Sequence, residues 1–338
     1  IFFFPIVTAA LTIGLVLFWV YAAMHIYTMG DTSIADLTDY VASAAGEVAD
    51  VDQSYFNESM VYSQDDASDY LMVYHLFGLL WTNQVINALL MCSIAGGICS
   101  WYWVMDKTTV SDRPVWDAFK RTLRFHLGSC CFGGLIIAIV QMVRLALEYL
   151  DQKTKDLQAN NPIMKVIMWC VKCALWCFEK CIKFISFQAY IIVAMKGKSF
   201  LPSVYEAFGL IVDNMARVAT VNIVSNFLLI LGKCGIIVFC TLMMFVMIEN
   251  NEDIDSIVFP MIVVMILSYG VSSGFFSVYN QAIDTILMCF CVDCKENADA
   301  GQYYMSDSLL HYINSTKQHS IYKLVDDDAD GDTTSASI

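Results

Sequence analysis

Long apolar runs separated by short polar ones organise this chain. Five of them reach the roughly 20 residues that a helix needs to cross a hydrocarbon core. They cover about residues 1–28, 72–104, 126–150, 217–248 and 257–288. A sixth stretch, 163–194, differs in kind, because Lys165, Lys172, Glu179 and Lys183 interrupt it at helical spacing. At 100° per residue these charges share one face, while Cys170, Cys173, Cys177 and Cys181 share another. The pattern predicts an amphipathic helix with two possible placements. It is either a span whose polar stripe faces a bundle interior, or a helix lying in the cytoplasmic interface with its lysines toward lipid headgroups.

The connections between the runs orient them. Residues 105–125 carry Lys107, Arg113, Lys120, Arg121 and Arg124, just after a belt of Trp101, Tyr102 and Trp103, and the positive-inside rule makes this loop cytoplasmic. The segment 30–70 holds ten acidic residues and no Lys or Arg, so it falls outside, where Asn57-Glu58-Ser59 is an N-glycosylation acceptor pattern. With five spans, lysine-rich 151–198 faces outward and the acidic turn at 250–256 faces inward; one more crossing within 163–194 removes part of that mismatch. The expectation is an all-α, polytopic transmembrane helix bundle of about six spans over residues 1–293, with the amphipathic helix at 163–195. A cytoplasmic tail follows at 294–338, disordered after about residue 322.

Composition narrows the function classes. With 58% hydrophobic and 15% charged residues, the chain has too little polar cover for a soluble domain. The first residues carry no Met and no basic segment, which argues against a signal peptide and suggests the C-terminal part of a longer protein. Most of the cysteines sit in apolar runs, unlike a secreted disulfide scaffold. Four on one straight helical face do not surround a metal, so they read as small apolar packing residues. Cys289, Cys291 and Cys294, at the inner end of the last run, are candidates for S-palmitoylation. There is no phosphate-binding glycine loop, zinc-protease helix or nucleophile elbow, so neither an enzyme nor a cofactor is expected. A net charge of −14 gives no reason to expect a nucleic-acid partner.

Chemistry concentrates at three places in the spans. Gln141, Arg144 and Glu148 share a face of the third run, and Arg144 with Glu148 has the spacing of an i, i+4 ion pair. Such charges inside a span suggest function, although at headgroup level they snorkel at little cost. The second run carries Trp81, Asn83, Gln84 and Asn87; the last carries Tyr269, Phe276, Tyr279, Asn280 and Asp284. Aromatic stripes usually reflect packing. Yet aromatic faces with uncharged polar groups also suit a quaternary ammonium, which has no N–H to donate. On this reading the substrate-binding candidates are Trp81, Asn83, Asn87, Gln141, Tyr269 and Phe276. Close helix approach is expected at Gly96–Gly97, Gly128–Gly134 and the Gly270/Gly274 pair.

Four stretches carry a family resemblance: RTLRFHLGSCCFGGLIIAIVQMVRLALEYLD (121–151), FEKCIKFISFQAYIIVAMKGKSF (178–200), SSGFFSVYNQAIDTILMCFCVD (272–293) and YYMSDSLL (303–310). In content and order they resemble the C-terminal half of choline transporter-like solute carriers. The resemblance implies a ten-span plasma-membrane protein, of which these six spans are the fifth to tenth. It implies sodium-independent carriage of choline and sometimes ethanolamine, with proton antiport as the coupling; the ionisable residues within the spans, read on their own, offer Glu148 or Asp284 as candidates for that proton linkage. The partners implied are choline or a related organic cation, the lipid bilayer and the preceding part of the same chain. A carrier for another organic cation or a thiamine derivative, or a non-transporting scaffold or receptor, are the alternatives.

Overall fold

The computed structural model describes residues 4–28, 66–155, 162–249, 257–297 and 303–305. Among them every regular element is helical, in keeping with apolar runs whose backbone must satisfy its own polar groups inside hydrocarbon. In chain order the helices are α1 (Phe4–Tyr27), α2 (Asp66–Tyr102), α3 (Pro114–Arg121), α4 (Leu127–Lys153), α5 (Pro162–Lys196), α6 (Phe200–Asp213), α7 (Met215–Glu249) and α8 (Val258–Glu296). Five stretches are long and apolar enough to cross a membrane: α1, α2 from Tyr70, the run Pro114–Lys153, α7 to Ile248, and α8. Helix α5 is not among them. Its 35 residues make about 52 Å of helix, ample length for a crossing, but its charges lower its apolarity. Most of the acidic segment, including Asn57, and the tail from 306 onward lie outside the described residues.

The chain divides into two compact units: residues 1–91 with 123–187, and residues 92–122 with 188–338. In the first, α1 and α2 are joined by a reciprocal pair of hydrogen bonds. Trp19 Nε1 donates to the His75 carbonyl at 3.2 Å, His75 Nε2 donates to the Trp19 carbonyl at 3.1 Å, and the two rings stack 5.4 Å apart. Helices α2 and α4 cross closely at Gly134, where a Cβ would come within 3.2 Å of the Val85 backbone nitrogen. A small residue at that crossing replaces side-chain bulk with backbone proximity.

In the second unit, the C-terminal end of α2 is closed by Lys107, whose ammonium donates to the carbonyls of Trp101, Tyr102 and Val104 and so satisfies acceptors a helix end leaves open. Asp106 then caps the next turn, accepting from the Thr108 amide and hydroxyl at 3.0 and 2.7 Å, and these bonds hold its carboxyl below the usual range. The basic connection expected as a loop over 105–125 is largely helical: Pro114 starts α3, and a π-helical stretch, Thr122–His126, leads directly into α4. Helix α3 buries Val115 and Ala118 against Gly97 and Gly96. A Cβ at Gly97 would lie 2.7 Å from Val115 Cγ2 and 3.0 Å from its Cα.

Helix α5 stops at Gly197, whose φ of 68° is a left-handed conformation that glycine adopts without steric cost. The turn delivers Lys196 and Lys198 to Glu206 on α6, with Lys196 also meeting Glu296 of α8 and Lys198 lying 2.7 Å from Glu206. Burial by itself raises the Glu206 carboxyl, but the two ammonium groups more than offset that and leave it below its ordinary value. Burial draws Lys196 down, and its two carboxylates reverse this and hold it above its ordinary value.

Two outcomes follow. Gly97→Ala forces α3 away from α2 and destabilises the protein by about 1–3 kcal/mol, read as a lowered thermal midpoint in detergent. Because Glu206 is depressed in the folded state, its stabilising contribution is present above its unfolded pKa and is lost as pH falls through the folded one. Glu206→Gln therefore reduces the slope of thermal midpoint against pH below about pH 5 and leaves the slope around neutral pH unchanged.

Candidate functional site

Most of the polar stripe of α5 is matched by one on α4, while Lys165 at its start is exposed. Glu179, only 4% exposed, accepts from Arg144 Nη1 at 2.7 Å and from Lys183 Nζ at 2.6 Å. Toward the 154–161 connection, Lys172 binds Asp151 and also reaches Glu148 at 3.3 Å. Six charges thus neutralise one another across an antiparallel helix pair. The intrahelical Arg144–Glu148 pair suggested by spacing is replaced by these cross-helix partners, because Glu179 is the carboxylate removed from solvent and requires a cation most. The opposite face corrects another expectation. Cys170, Cys173, Cys177 and Cys181 are exposed on α5, not packed inside, since a thiol tolerates an apolar environment that a carboxylate does not.

Above this ladder, α2 and α4 share a polar contact. Gln84 Nε2 donates to Gln141 Oε1 at 3.1 Å, and Trp81 Nε1 donates to the Cys131 carbonyl at 3.0 Å. Trp81 also stacks on Phe77 at 6.4 Å, and Asn83 and Asn87 are half-buried on other faces of the same helix. Of the candidates in this unit, Trp81 and Gln141 are tied to the α2–α4 contact. Glu148 stands apart, 54% of its side chain exposed.

The remaining candidates belong to α8 in the second unit. The Phe276 ring covers Gly232 of α7, where a Cβ would come within 2.7 Å of it, and lies 6.1 Å from the Tyr279 ring. Tyr269 points away, 59% exposed. Asp284 is buried and accepts from Asn280 Nδ2 at 3.3 Å, one turn back. Phe276 and Asp284 therefore have protein around them and Tyr269 does not.

Sequence reasoning passed over Asp293. Its side chain is fully buried and is supplied with four donors. Oδ2 accepts from Tyr102 Oη at 3.1 Å and from the Tyr304 and Met305 amides at 3.0 Å each, and Oδ1 accepts from Asn297 Nδ2 at 2.7 Å. Trp103 adds a ring contact to Tyr304 at 5.2 Å. One carboxylate thus fastens residues 303–305 to the ends of α2 and α8. The available signal was an acid closing the last apolar run ten residues before the YYM triplet. The same packing buries Cys289 and Cys291, with Cys289 Sγ 3.6 Å from Cys99 Sγ. Neither is presented for acylation as their juxtamembrane position suggested; Cys294 is half-buried. Among the described residues, no three His, Cys, Asp or Glu side chains converge as metal ligands.

Comparison with known proteins extends the resemblance over nearly the whole chain. The family described as "Plasma-membrane choline transporter" matches residues 1–295. Choline transporter-like protein 2 of Dictyostelium discoideum is 37% identical over 316 residues, covering 93% of this chain and 47% of that protein. Choline transporter-like protein 4 of Xenopus laevis is 34% identical over 346 residues, 92% of this chain and 48% of the relative. The human protein of the same name is 32% identical over 350 residues, 94% and 49%. The chain spans about half the length of these curated relatives.

Replacing Asp293 by Ala leaves two amides and a tyrosine hydroxyl without their buried acceptor. The expected result is a loss of about 3 kcal/mol or more, seen as faster proteolytic cleavage between residues 297 and 303 and a lower thermal midpoint. Asp293→Asn, which keeps one acceptor oxygen, is expected to fall between that variant and the parent.

Proposed function

This chain belongs to the plasma-membrane choline transporter family, and from that premise we propose that it forms part of a plasma-membrane carrier for choline. The proposed carrier works by alternating access without sodium, accepts ethanolamine as a second substrate and exchanges its cargo for protons. The acidic segment before α2 is external in this reading, attracts cations and bears a glycan at Asn57. A quaternary ammonium is held by aromatic faces and neutral polar groups. Trp81, Asn83, Asn87 and Gln141 offer these in one unit, Tyr269 and Phe276 in the other.

The observation that carries the proposal is Asp284, a buried acid within a stretch matched by the family, in a helix long and apolar enough to cross the bilayer. A buried ionisable group in a spanning helix is costly and marks a functional candidate. With one neutral amide donating to it, Asp284 can take up and release a proton or face a cation. Glu148 is the weaker candidate for proton linkage, because it is exposed and shares Lys172 with Asp151.

Uptake of labelled choline into proteoliposomes containing the full-length protein tests this. Saturable uptake is expected, unchanged when sodium is replaced by potassium and accelerated by an outwardly directed proton gradient. Asp284→Asn should abolish the response to the gradient, and Trp81→Ala or Phe276→Ala should raise KM by about three- to thirtyfold. Uptake indifferent to all three substitutions would remove these assignments. Folded protein with no uptake of choline, ethanolamine or other organic cations would favour the scaffold reading.

A further inference from the structure

A cleft of about 250 Å³ lies between α4 and α5, where Arg144, Glu148 and Lys172 meet the indoles of Trp169 and Trp176. The two tryptophans are seven residues apart, two turns along one face of α5. Trp169 is 67% exposed, so its ring is open to a ligand. Arg144 spends one nitrogen, Nη1, on Glu179, and nearly half of its side chain remains exposed. Glu148 uses Oε1 on Lys172 at 3.3 Å, a contact secondary to the one Lys172 makes with Asp151.

The lining excludes simple occupants. A lone anion would meet Glu148, a lone cation would meet Arg144 and Lys172, and an apolar molecule would strip water from all three. A zwitterion satisfies them together, with an anionic oxygen accepting from Arg144 and a cationic end resting on an indole beside Glu148. One helical turn, about 6 Å of rise, separates Arg144 from Glu148, a spacing suited to charges joined by a two-carbon bridge. The aromatic faces favour a quaternary nitrogen over a primary one, which prefers hydrogen-bond acceptors.

Position indicates the source. Arg144 and Glu148 occupy the last turns of the α4 apolar run, where the topology reading puts the bilayer's headgroup zone. Leu145, next to Arg144 on α4, and Val166, about one turn before Trp169 on α5, are exposed apolar side chains that offer surface to acyl chains. We propose that this cleft is a binding site for the headgroup of a phosphocholine lipid, with its phosphate on Arg144 and its trimethylammonium between Trp169, Trp176 and Glu148. The site shares only Glu148, the weaker candidate for proton linkage, with the proposed transport residues, and it does not depend on what the protein carries.

Native mass spectrometry of the detergent-purified full-length protein, titrated with short-chain phosphatidylcholine, phosphatidylethanolamine or phosphatidylglycerol, tests the assignment. One retained phosphatidylcholine is expected, at least about fivefold above either other lipid. Trp169→Ala and the near-isosteric Glu148→Gln should each remove that preference. Glu148→Gln, on an exposed side chain, keeps the test valid should the tryptophan variant fail to fold. Equal retention of the three lipids, or a preference untouched by both substitutions, overturns the proposal. Displacement of the lipid by an equal concentration of soluble phosphocholine overturns the lipid source and assigns the cleft to a free metabolite.

Discussion

A carboxylate withdrawn from water inside an apolar bundle has to find cations or donors, and Glu179 and Asp293 show how much structure that demand organises. Glu179 draws Arg144 from one helix and Lys183 from its own. Together with the Lys172–Asp151 and Lys172–Glu148 contacts this fixes α4 against α5 in one register. Asp293 draws two backbone amides, an asparagine and a tyrosine. In both places the cost of leaving the charge alone exceeds any single contact it makes, so the arrangement is specified more by what it avoids than by what it gains.

Elsewhere the helices meet through small residues. Gly97 admits Val115, Gly134 admits the backbone at Val85, and Gly232 admits the ring of Phe276. Lipid tails are as apolar as leucine, so burying leucine does little to drive helices together in a membrane, and close approach with local polar contacts does more. The apolar surface of α1 and α7 is open.

Much of the architecture was legible because the bilayer simplifies the problem. Length and hydropathy located five spans, and helical periodicity separated the cysteine face of α5 from its charged face. Partner choice was less accessible. Arg144 and Glu148 are correctly spaced for each other, yet a buried acid on the next helix takes the arginine. Cys289 and Cys291 look juxtamembrane in the sequence but pack in the interior where the C-terminal ends of α2 and α8 meet. Gln141 was identifiable as a polar group in a span, while its partner Gln84 was visible only as another amide 57 residues away.

By itself the sequence determined that this is an all-helical membrane protein, the orientation its charges favour and, through four stretches of residues, its family. These properties depend on short-range quantities: apolar run length, the sign of charge in connections, and local motif order. Only the tertiary structure decided which charge neutralises which, that the thiol row faces outward, and that residues 303–305 are fastened to Asp293. Those outcomes depend on distances between segments far apart in the chain, where competing partners of equal chemistry are told apart by burial.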